Sequence, residues 1–161
     1  RLLLVLFTLL SPIAFTASAF AQETEDAATI ETNKTFGNYV VFYNAFPSTT
    51  LLPAVAADYK IERGNDIAFI NIAVRNQAGG GDIAQAVSIS GTSSDLIQKR
   101  PLEFREIREQ NAIYYIAQVR YNNREVLRFD VQVQPQLSAG ESAPVGSPFK
   151  ISFTRKFFIE K

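Results

Sequence analysis

Residues 112–134 read AIYYIAQVRYNNREVLRFDVQVQ and contain the two clearest strand patterns of the chain. Apolar and polar side chains alternate through 112–121 and again through 125–134, with a short polar interruption between them. A period of two is typical of a β-strand that buries one face. This stretch therefore predicts two successive strands of an all-β fold.

The apolar residues also predict how these two strands pair. A three-residue loop at 122–124 places Val119 opposite Leu127 and Ala117 opposite Phe129, which keeps both apolar faces on one side. A two-residue turn would mix apolar and polar residues on the same face. Because a slip of one residue moves every side chain to the other face, we predict a hairpin with the three-residue loop.

The strand before this hairpin extends the same argument. A two-residue turn at Gln110-Asn111 places Arg105 opposite Ile116 and Ile107 opposite Tyr114, on the face away from the core. Together with charged residues of 125–134 they form a candidate interaction face: Arg105, Ile107, Tyr114, Ile116, Arg128 and Asp130. Contiguous exposed apolar residues are typical of an interaction surface. The alternative is that another element covers this face.

The whole chain contains seven runs of this kind, separated by turn residues. We predict strands over residues 38–44, 66–76, 82–92, 102–108, 112–121, 125–134 and 148–160. A glycine-rich hairpin loop is expected at 76–82 and a mobile connection at 136–148. This number and spacing of runs predict an immunoglobulin-like β-sandwich of about seven antiparallel strands.

One segment follows a helical period instead. Between the first two predicted strands, apolar residues recur at i, i+3, i+4 and i+7, namely at Leu52, Val55, Ala56 and Tyr59. Pro53 suits the first turn of a helix. We therefore predict a short crossover helix over residues 53–59. An amphipathic helix has an apolar face to bury, so it is the first choice for an element that covers the candidate interaction face.

The first twenty-one residues predict export from the cytoplasm. Residues 2–10 are apolar except for Thr8, and Ala19-Phe20-Ala21 forms an A-x-A cleavage signal. We predict a signal peptide over 1–21, cleaved after Ala21, which leaves no stable membrane insertion. The expected location is the bacterial periplasm. Residues 22–36 are then a flexible leader and 37–161 the sandwich domain.

Four residue types are missing from the 161 residues: Cys, His, Met and Trp. Without Cys and His there is no thiolate nucleophile, no Ser-His-Asp triad and none of the usual zinc sites. The 16 basic residues balance the 16 acidic ones, which gives no electrostatic footprint for nucleic acid. We expect a protein that is not an enzyme, binds no cofactor or metal, and has no nucleic-acid partner.

Two stretches carry a resemblance to a known family. One runs from Phe36-Gly37-Asn38-Tyr39 through residues 43–49 (YNAFPST), and the other runs from residues 104–108 (FREIR) through 112–117 (AIYYIA). Together they resemble the domain of unknown function 4426 family, small exported proteins of Gram-negative bacteria. The resemblance covers roughly residues 36–160. It implies an immunoglobulin-like sandwich outside the cytoplasm and brings no catalytic residue or substrate.

The segment after the first predicted strand is a candidate recognition loop, formed by Asn44, Phe46, Ser48 and Thr49. Phe46 could serve as an aromatic anchor for a ligand and Asn44 as its polar contact. The structural alternative is that Phe46 fills the end of the sandwich while Asn44 hydrogen-bonds the turn. An apolar residue beside proline usually packs, which favours that alternative.

Three classes of function follow from these observations. The first is a non-catalytic periplasmic binding or interaction domain, an adaptor or accessory factor whose partner is an unknown envelope protein, bound by the candidate interaction face or by strand addition. The second is a carrier of a sugar or lipid fragment, which a pocket lined by Tyr39, Tyr43 or Phe46 would favour. The third, an enzyme, requires a buried carboxylate pair in a cleft.

Overall fold

Alternating apolar residues form ten strands in the computed structural model, which describes residues 31–136 and 148–159. In chain order the elements are β1 (Asn33–Phe36), β2 (Tyr39–Pro47), a 3₁₀ turn (Ser48–Thr50), α1 (Pro53–Asp58), β3 (Ile67–Asn76), a 3₁₀ turn (Ala78–Gly80), β4 (Ile83–Ala84), β5 (Val87–Ser94), β6 (Lys99–Pro101), β7 (Arg105–Glu109), β8 (Ala112–Arg120), β9 (Val126–Pro135) and β10 (Phe149–Lys156). None of the helices in these residues is long and apolar enough to cross a bilayer.

The strands form two antiparallel sheets packed as a sandwich, which confirms the predicted fold class. The front sheet has the order β1-β2-β3-β8-β7, with the short β4 also paired to β3. The back sheet has the order β10-β9-β5-β6. The inward faces of the two sheets supply one core, in which Ile70 and Ile72 of β3 face Phe129 and Val131 of β9 among the buried residues. Alternation places the polar side chains of each strand outside.

The predicted hairpin between residues 112–121 and 125–134 is wrong. β8 belongs to the front sheet and β9 to the back sheet, so Val119 does not pair with Leu127, nor Ala117 with Phe129. The residues predicted to point inward do so, but they meet across the core instead of lying side by side. Both arrangements bury the same apolar faces, so alternation alone does not distinguish them.

The predicted turn at Gln110-Asn111 is confirmed. Arg105 lies opposite Ile116 and Ile107 opposite Tyr114 in the β7–β8 ladder, as the sequence predicts. The glycine-rich loop before β4 likewise closes a hairpin, in which β3 pairs with β4. Short turns fix the register of the two strands that they join, so this register can be predicted from sequence.

The crossover helix α1 ends one residue before its predicted limit, with Tyr59 as C-cap. The amide of Ile61 donates to the carbonyl of Ala56 at 2.7 Å and the amide of Lys60 to that of Ala57 at 3.1 Å. Lys60 adopts a φ of 50°, the left-handed position of this Schellman motif. The motif turns the chain back sharply, so that the six-residue helix lies against the front sheet instead of pointing away from it.

Some boundaries differ from the sequence predictions. Residues 33–36, expected at the end of the flexible leader, form β1 and pair with β2. Residues 82–92 are divided between β4 and β5, and β6 is a strand that the periodicity did not indicate. Most of the connection expected at 136–148 lies outside the described residues, as do the signal peptide and residues 22–30 of the leader.

Candidate functional site

Strand β3 is apolar on both faces. Its inward residues join the core, while its outward residues Ile67 and Phe69 are also buried, with 3% and 6% of their surface exposed. A strand that is apolar on both faces has to be covered on both. The sandwich core covers the inner face, and α1 with its flanking loops covers part of the outer face.

A second apolar cluster, which we call the outer cluster, results from this cover. Its buried members are Ala56, Ile61, Phe69 and Ile116, and its partly buried members are Phe46, Leu51, Tyr59, Ile107 and Tyr114. The rings of Phe46 and Phe69 lie 5.2 Å apart between centroids. The helix segment contributes Ala56 and Tyr59, whereas Leu52 of the predicted stripe is 69% exposed, and the front sheet contributes the outward residues of four strands.

The outer cluster does not close completely and leaves a cavity of about 300 Å³ between α1 and the front sheet. The lining is mainly aliphatic and aromatic: Phe46, Leu51, Val55, Tyr59, Ile61, Phe69, Asn71, Ile107, Glu109, Tyr114 and Ile116. Small-molecule sites are usually concave and apolar with a few placed polar groups, and this cavity has that composition. We call it the α1 pocket.

Asn71 supplies the polar group on the sheet side of the α1 pocket. It lies on β3 between Asn44 of β2 and Ile116 of β8. Its side-chain oxygen Oδ1 is inaccessible to solvent and accepts no hydrogen bond from the described residues. Buried polar atoms are nearly always paired, and leaving one unpaired costs about 1–3 kcal/mol. Asn71 therefore lines the pocket with a side chain whose amide oxygen is shielded from the open space and meets no donor among the described residues.

Polar contacts hold the C-terminal end of α1 over the pocket. The hydroxyl of Tyr59 donates to the carboxylate of Glu109 on β7, and this bond raises the pKa of Tyr59. Arg105 donates to the backbone carbonyl of Tyr59 and, at 3.4 Å, to that of Lys60. A cation at the end of a helix satisfies carbonyl groups that have no partner within the helix.

A second group of polar contacts holds the loop that follows α1. The side-chain amide of Gln118 accepts a hydrogen bond from the backbone N–H of Glu62 at 3.1 Å and donates to its carbonyl at 2.7 Å. Arg120 forms ion pairs with Glu62 at 2.9 Å and with Asp66 at 2.7 Å. The three charged side chains are exposed, so their ion pairs position the loop more than they stabilise the fold.

The structure divides the candidate interaction face between the two sides of the sandwich. Arg105, Ile107, Tyr114 and Ile116 lie together on the outer face of the front sheet, around the α1 pocket. Arg128 and Asp130 lie on β9 of the back sheet, where they pair with each other at 3.1 Å. The expected single face is therefore wrong, because β9 does not pair with β8. Ile116 is buried beneath the helix, so the remaining half is a covered pocket and not an open surface.

The candidate recognition loop is also divided. Phe46 lines the α1 pocket, whereas Ser48 is buried and exchanges hydrogen bonds with the backbone of Gly64 at 2.9 and 3.2 Å. The oxygen of Asn44 accepts from the neighbouring amide of Ala45, and the carbonyl of Thr49 accepts from an arginine. Three of the four predicted residues therefore shape the loop, and Phe46 alone reaches the pocket.

Sequence reasoning did not identify Asn71, Phe69 or Glu109 as site residues. Residues 67–74 read IAFINIAV, in which Asn71 is the one polar side chain. A lone polar residue within an apolar strand is a detectable signal, because burying it is costly without a partner. The two tyrosines proposed beside Phe46 lie elsewhere: Tyr43 is in the sandwich core, and Tyr39 packs on Phe149.

Comparison with known proteins gives a family and a fold. The family described as domain of unknown function (DUF4426) matches residues 33–160. The crystal structure of a DUF4426 family protein from Pseudomonas aeruginosa PAO1 is 29% identical, with a TM-score of 0.63 over 80% of this chain and 95% of that one. No curated protein matches the chain.

Two structures of FetP from uropathogenic Escherichia coli strain F11 share the fold at 12% identity. A copper-bound variant has a TM-score of 0.51 over 80% of this chain and 90% of that one. The protein as isolated has a TM-score of 0.53 over 80% and 94%. Copper sites favour imidazole, thiolate and thioether ligands, and these 161 residues contain no His, Cys or Met. Copper binding is therefore not inferred for this chain from the shared fold.

Proposed function

We propose that this chain, which belongs to the DUF4426 family, is a non-catalytic binding domain of the periplasm that takes a small molecule into the α1 pocket. The observation that carries the proposal is Asn71, a residue that lines this apolar cavity and whose buried Oδ1 has no donor among the described residues. A ligand that donates one hydrogen bond to this oxygen, once the Asn71 side chain turns toward the cavity, would remove the cost of the unpaired acceptor. The function is therefore binding, with Asn71 as the polar contact.

The lining also favours one ligand chemistry. A sugar carries many hydroxyl groups, each of which loses water on burial and needs a partner. The α1 pocket offers mainly aliphatic and aromatic carbon, with polar atoms at Asn71, Glu109 and the tyrosine hydroxyls. Its volume of about 300 Å³ is at the lower end of the usual range for ligand sites. An apolar molecule with a single donor, such as a lipid fragment, fits better than a sugar.

The charged groups around the pocket support a binding role and not a catalytic one. Among the described residues, Glu109 is the one carboxylate that lines the pocket, so they provide no second member of an acid–base pair there. The described residues, 31–136 and 148–159, also contain no group of three or more His, Cys, Asp or Glu side chains placed to hold a metal. Neither general acid–base nor metal-assisted catalysis is supported by this site.

The covered face argues against protein docking at the same place. A partner protein would need Ile116, which is 4% exposed, and would have to displace α1 together with its contacts to β7 and β8. A small molecule needs no such displacement. We therefore place the binding function in the pocket and not on the sheet surface that surrounds it.

Periplasmic location rests on the N-terminal sequence. The apolar run over residues 2–10 and the Ala19-Phe20-Ala21 signal are the features that a signal peptidase reads. The intact mass of the protein, purified from its native host or an enteric bacterium, is expected to correspond to a chain that begins at Gln22. A mass that includes residues 1–21, or recovery from the cytoplasm alone, would contradict export.

Indole and 1-methylindole provide the test of the pocket, because both are apolar and only indole has an N–H donor. The chain contains no Trp, so indole can be excited beyond the tyrosine absorption without protein background, and its emission should shift to shorter wavelength on entry. Indole is expected to bind roughly threefold to tenfold more tightly than 1-methylindole, the value of one neutral hydrogen bond. Asn71→Leu should abolish this preference, while the free energy of unfolding stays equal or rises, since an unpaired buried acceptor is removed.

Asn44→Leu is the matched control, since Asn44 is the β2 neighbour of Asn71 and its oxygen is already bonded to a backbone amide. This variant should keep the preference for indole. The proposed pocket is wrong if neither molecule binds the folded protein. Asn71 is not the polar contact if Asn71→Leu retains the preference.

A further inference from the structure

Among the described residues, one charged side chain lines the α1 pocket, that of Glu109 at the end of β7. Its carboxylate oxygen Oε1 accepts a hydrogen bond from the hydroxyl of Tyr59. Its other oxygen, Oε2, accepts no hydrogen bond from the described residues, and Glu109 forms no ion pair with any of them. A carboxylate can accept about four hydrogen bonds, and those from a cation are the strongest. The pocket therefore contains an anionic acceptor that the described chain uses only in part.

The cations of the adjoining groove are bound to other carboxylates. Arg75 and Arg108 border this groove together with Glu109. Arg75 forms an ion pair with Asp82 at 2.9 Å, and Arg108 forms one with Glu106. Each of these two positive charges is balanced by its own partner. Neither is left over to balance the charge of Glu109.

A third cation, Arg105, lies at the other end of β7. Its guanidinium group donates to the backbone carbonyls of Tyr59 and Lys60, and Arg105 is not part of the pocket lining. Four residues of β7 separate it from Glu109, about 13 Å along the strand. The hydrogen bond to Glu109 is the largest cause that raises the pKa of Tyr59, and the charges of Glu109 and Asp58 raise it further. The pocket is therefore negative at the Tyr59 hydroxyl, although Arg105 binds the backbone of the same residue.

Two tyrosines border the carboxylate. Tyr59 and Tyr114 both line the pocket with Glu109, and the hydroxyl of Tyr114 forms no hydrogen bond within the described residues. The face of a tyrosine ring attracts a cation, and a hydroxyl oxygen accepts a hydrogen bond from an N–H group. A carboxylate, two tyrosine rings and a free hydroxyl together match the chemistry of a protonated amine.

Asn71 and Glu109 lie at different levels of the front sheet. On β8, Ile116 is opposite Asn71, whereas Ala112 is opposite Glu109. These two levels are four residues apart, about 13 Å along the strand before the side chains shorten the span. Tyr114 lies between them on the same face of β8. A molecule that reaches both polar groups is therefore elongated, with an apolar body between two polar ends.

We propose that the ligand of the α1 pocket is an amphiphilic amine, whose protonated nitrogen binds the carboxylate of Glu109 while its apolar body fills the cavity. This inference rests on the proposed function and adds the charge of the ligand to it. The ammonium group donates to Oε2 of Glu109 and to the hydroxyl of Tyr114, and the donor at the other end of the molecule meets Asn71. A fatty acid or another anionic molecule is repelled by the same carboxylate.

Three indoles with the same ring and different charges test this inference. Tryptamine carries an ammonium group, 3-ethylindole is its neutral counterpart, and indole-3-propionate carries a carboxylate on the same chain. Titrations followed by indole emission should show that tryptamine binds roughly threefold to tenfold more tightly than 3-ethylindole, and indole-3-propionate more weakly than either. Raising the salt concentration from roughly 50 to 500 mM should reduce the preference for tryptamine, because salt screens an ion pair near the surface.

Glu109→Gln removes the charge but keeps the size of the side chain and an oxygen that can accept from Tyr59. This variant should lose the preference for tryptamine over 3-ethylindole. Glu103→Gln is the matched control, since Glu103 is an exposed carboxylate just before β7 that does not line the pocket. It should retain the preference in full.

The series also separates this inference from the proposed function. If the unaltered protein binds indole and 3-ethylindole but binds tryptamine no more tightly, the amine is wrong and the pocket stands. The amine is also wrong if Glu109→Gln retains the preference or if Glu103→Gln loses it equally. If none of the indoles binds the folded protein, the pocket and the amine are both wrong.

Discussion

Replacing Phe129 by alanine is expected to lower the free energy of unfolding by about 3–5 kcal/mol. Phe129 is fully buried in the middle of the sandwich core. Its ring stacks on Phe153 at 5.0 Å between centroids and meets the edge of Phe157 at 6.4 Å. The variant loses the burial of the ring and leaves a cavity that rigid sheets on both sides fill poorly. Urea denaturation, followed by far-UV circular dichroism, measures the loss.

The control for this prediction is Phe158→Ala, since Phe158 is 51% exposed and should contribute less than about 1 kcal/mol. Single domains are stable by only about 5–15 kcal/mol, so the Phe129→Ala variant is close to the limit of folding. Phe129→Leu retains most of the volume and should cost about 1–2 kcal/mol, which keeps the test measurable. Equal losses for Phe129→Ala and Phe158→Ala would contradict the packing described here.

Replacing Tyr115 by phenylalanine should cost about 1–3 kcal/mol, although it removes a single oxygen. The hydroxyl of Tyr115 joins the two sheets: it accepts from the buried amide of Val87 at 2.8 Å and donates to the carboxylate of Glu106 at 2.9 Å. In the variant the amide of Val87 has no acceptor and no access to water. Denaturation in urea at neutral pH should show a lower midpoint with an unchanged slope.

Tyr114→Phe is the natural control, because the hydroxyl of Tyr114 has no hydrogen bond in the described residues and its loss should change stability by less than about 0.5 kcal/mol.

The effect of pH on stability gives a second check of the Tyr115 hydroxyl. Burial, with a smaller contribution from the Glu106 carboxylate, raises the pKa of Tyr115 above its ordinary 10.0. The folded protein therefore keeps this proton where the unfolded chain loses it, so the protonated hydroxyl stabilises the fold below pH 10 and this stabilisation is lost as the pH rises through the folded value. Tyr115→Phe should show a smaller loss at high pH. An equal loss in both proteins would contradict the assignment.

The sequence predicted the direction in which side chains point better than it predicted which strands are neighbours. The buried residues Leu127, Phe129 and Val131 follow from alternation alone, because a period of two defines an inner face. Alternation does not encode whether that face lies beside or opposite the face of β8, since both arrangements bury the same carbon. The pairing of β9 with β5 and β10 depends on distant residues and is not expressed in a local pattern.

The candidate site was predicted in its parts but not in its assembly. The helical spacing that ends at Tyr59 and the turn that pairs Ile107 with Tyr114 are both local, and both were predicted. The position of α1 over Asn71 depends on the Schellman motif and on side-chain contacts between residues distant in sequence, such as Gln118 with Glu62. A pocket is the space that such contacts leave unfilled, so no single segment of sequence encodes it.

The order of strands in the back sheet has a consequence for the time at which this chain can fold. Its central strand β9 has β5 on one side and β10 on the other, and β10 supplies Phe153 to the core. During synthesis the sandwich cannot close until the last strand has left the ribosome. Pairings between distant segments also form slowly. A chain built in this way cannot complete its core before β10 has been made, so the closing of the sandwich comes after the synthesis of the other nine strands.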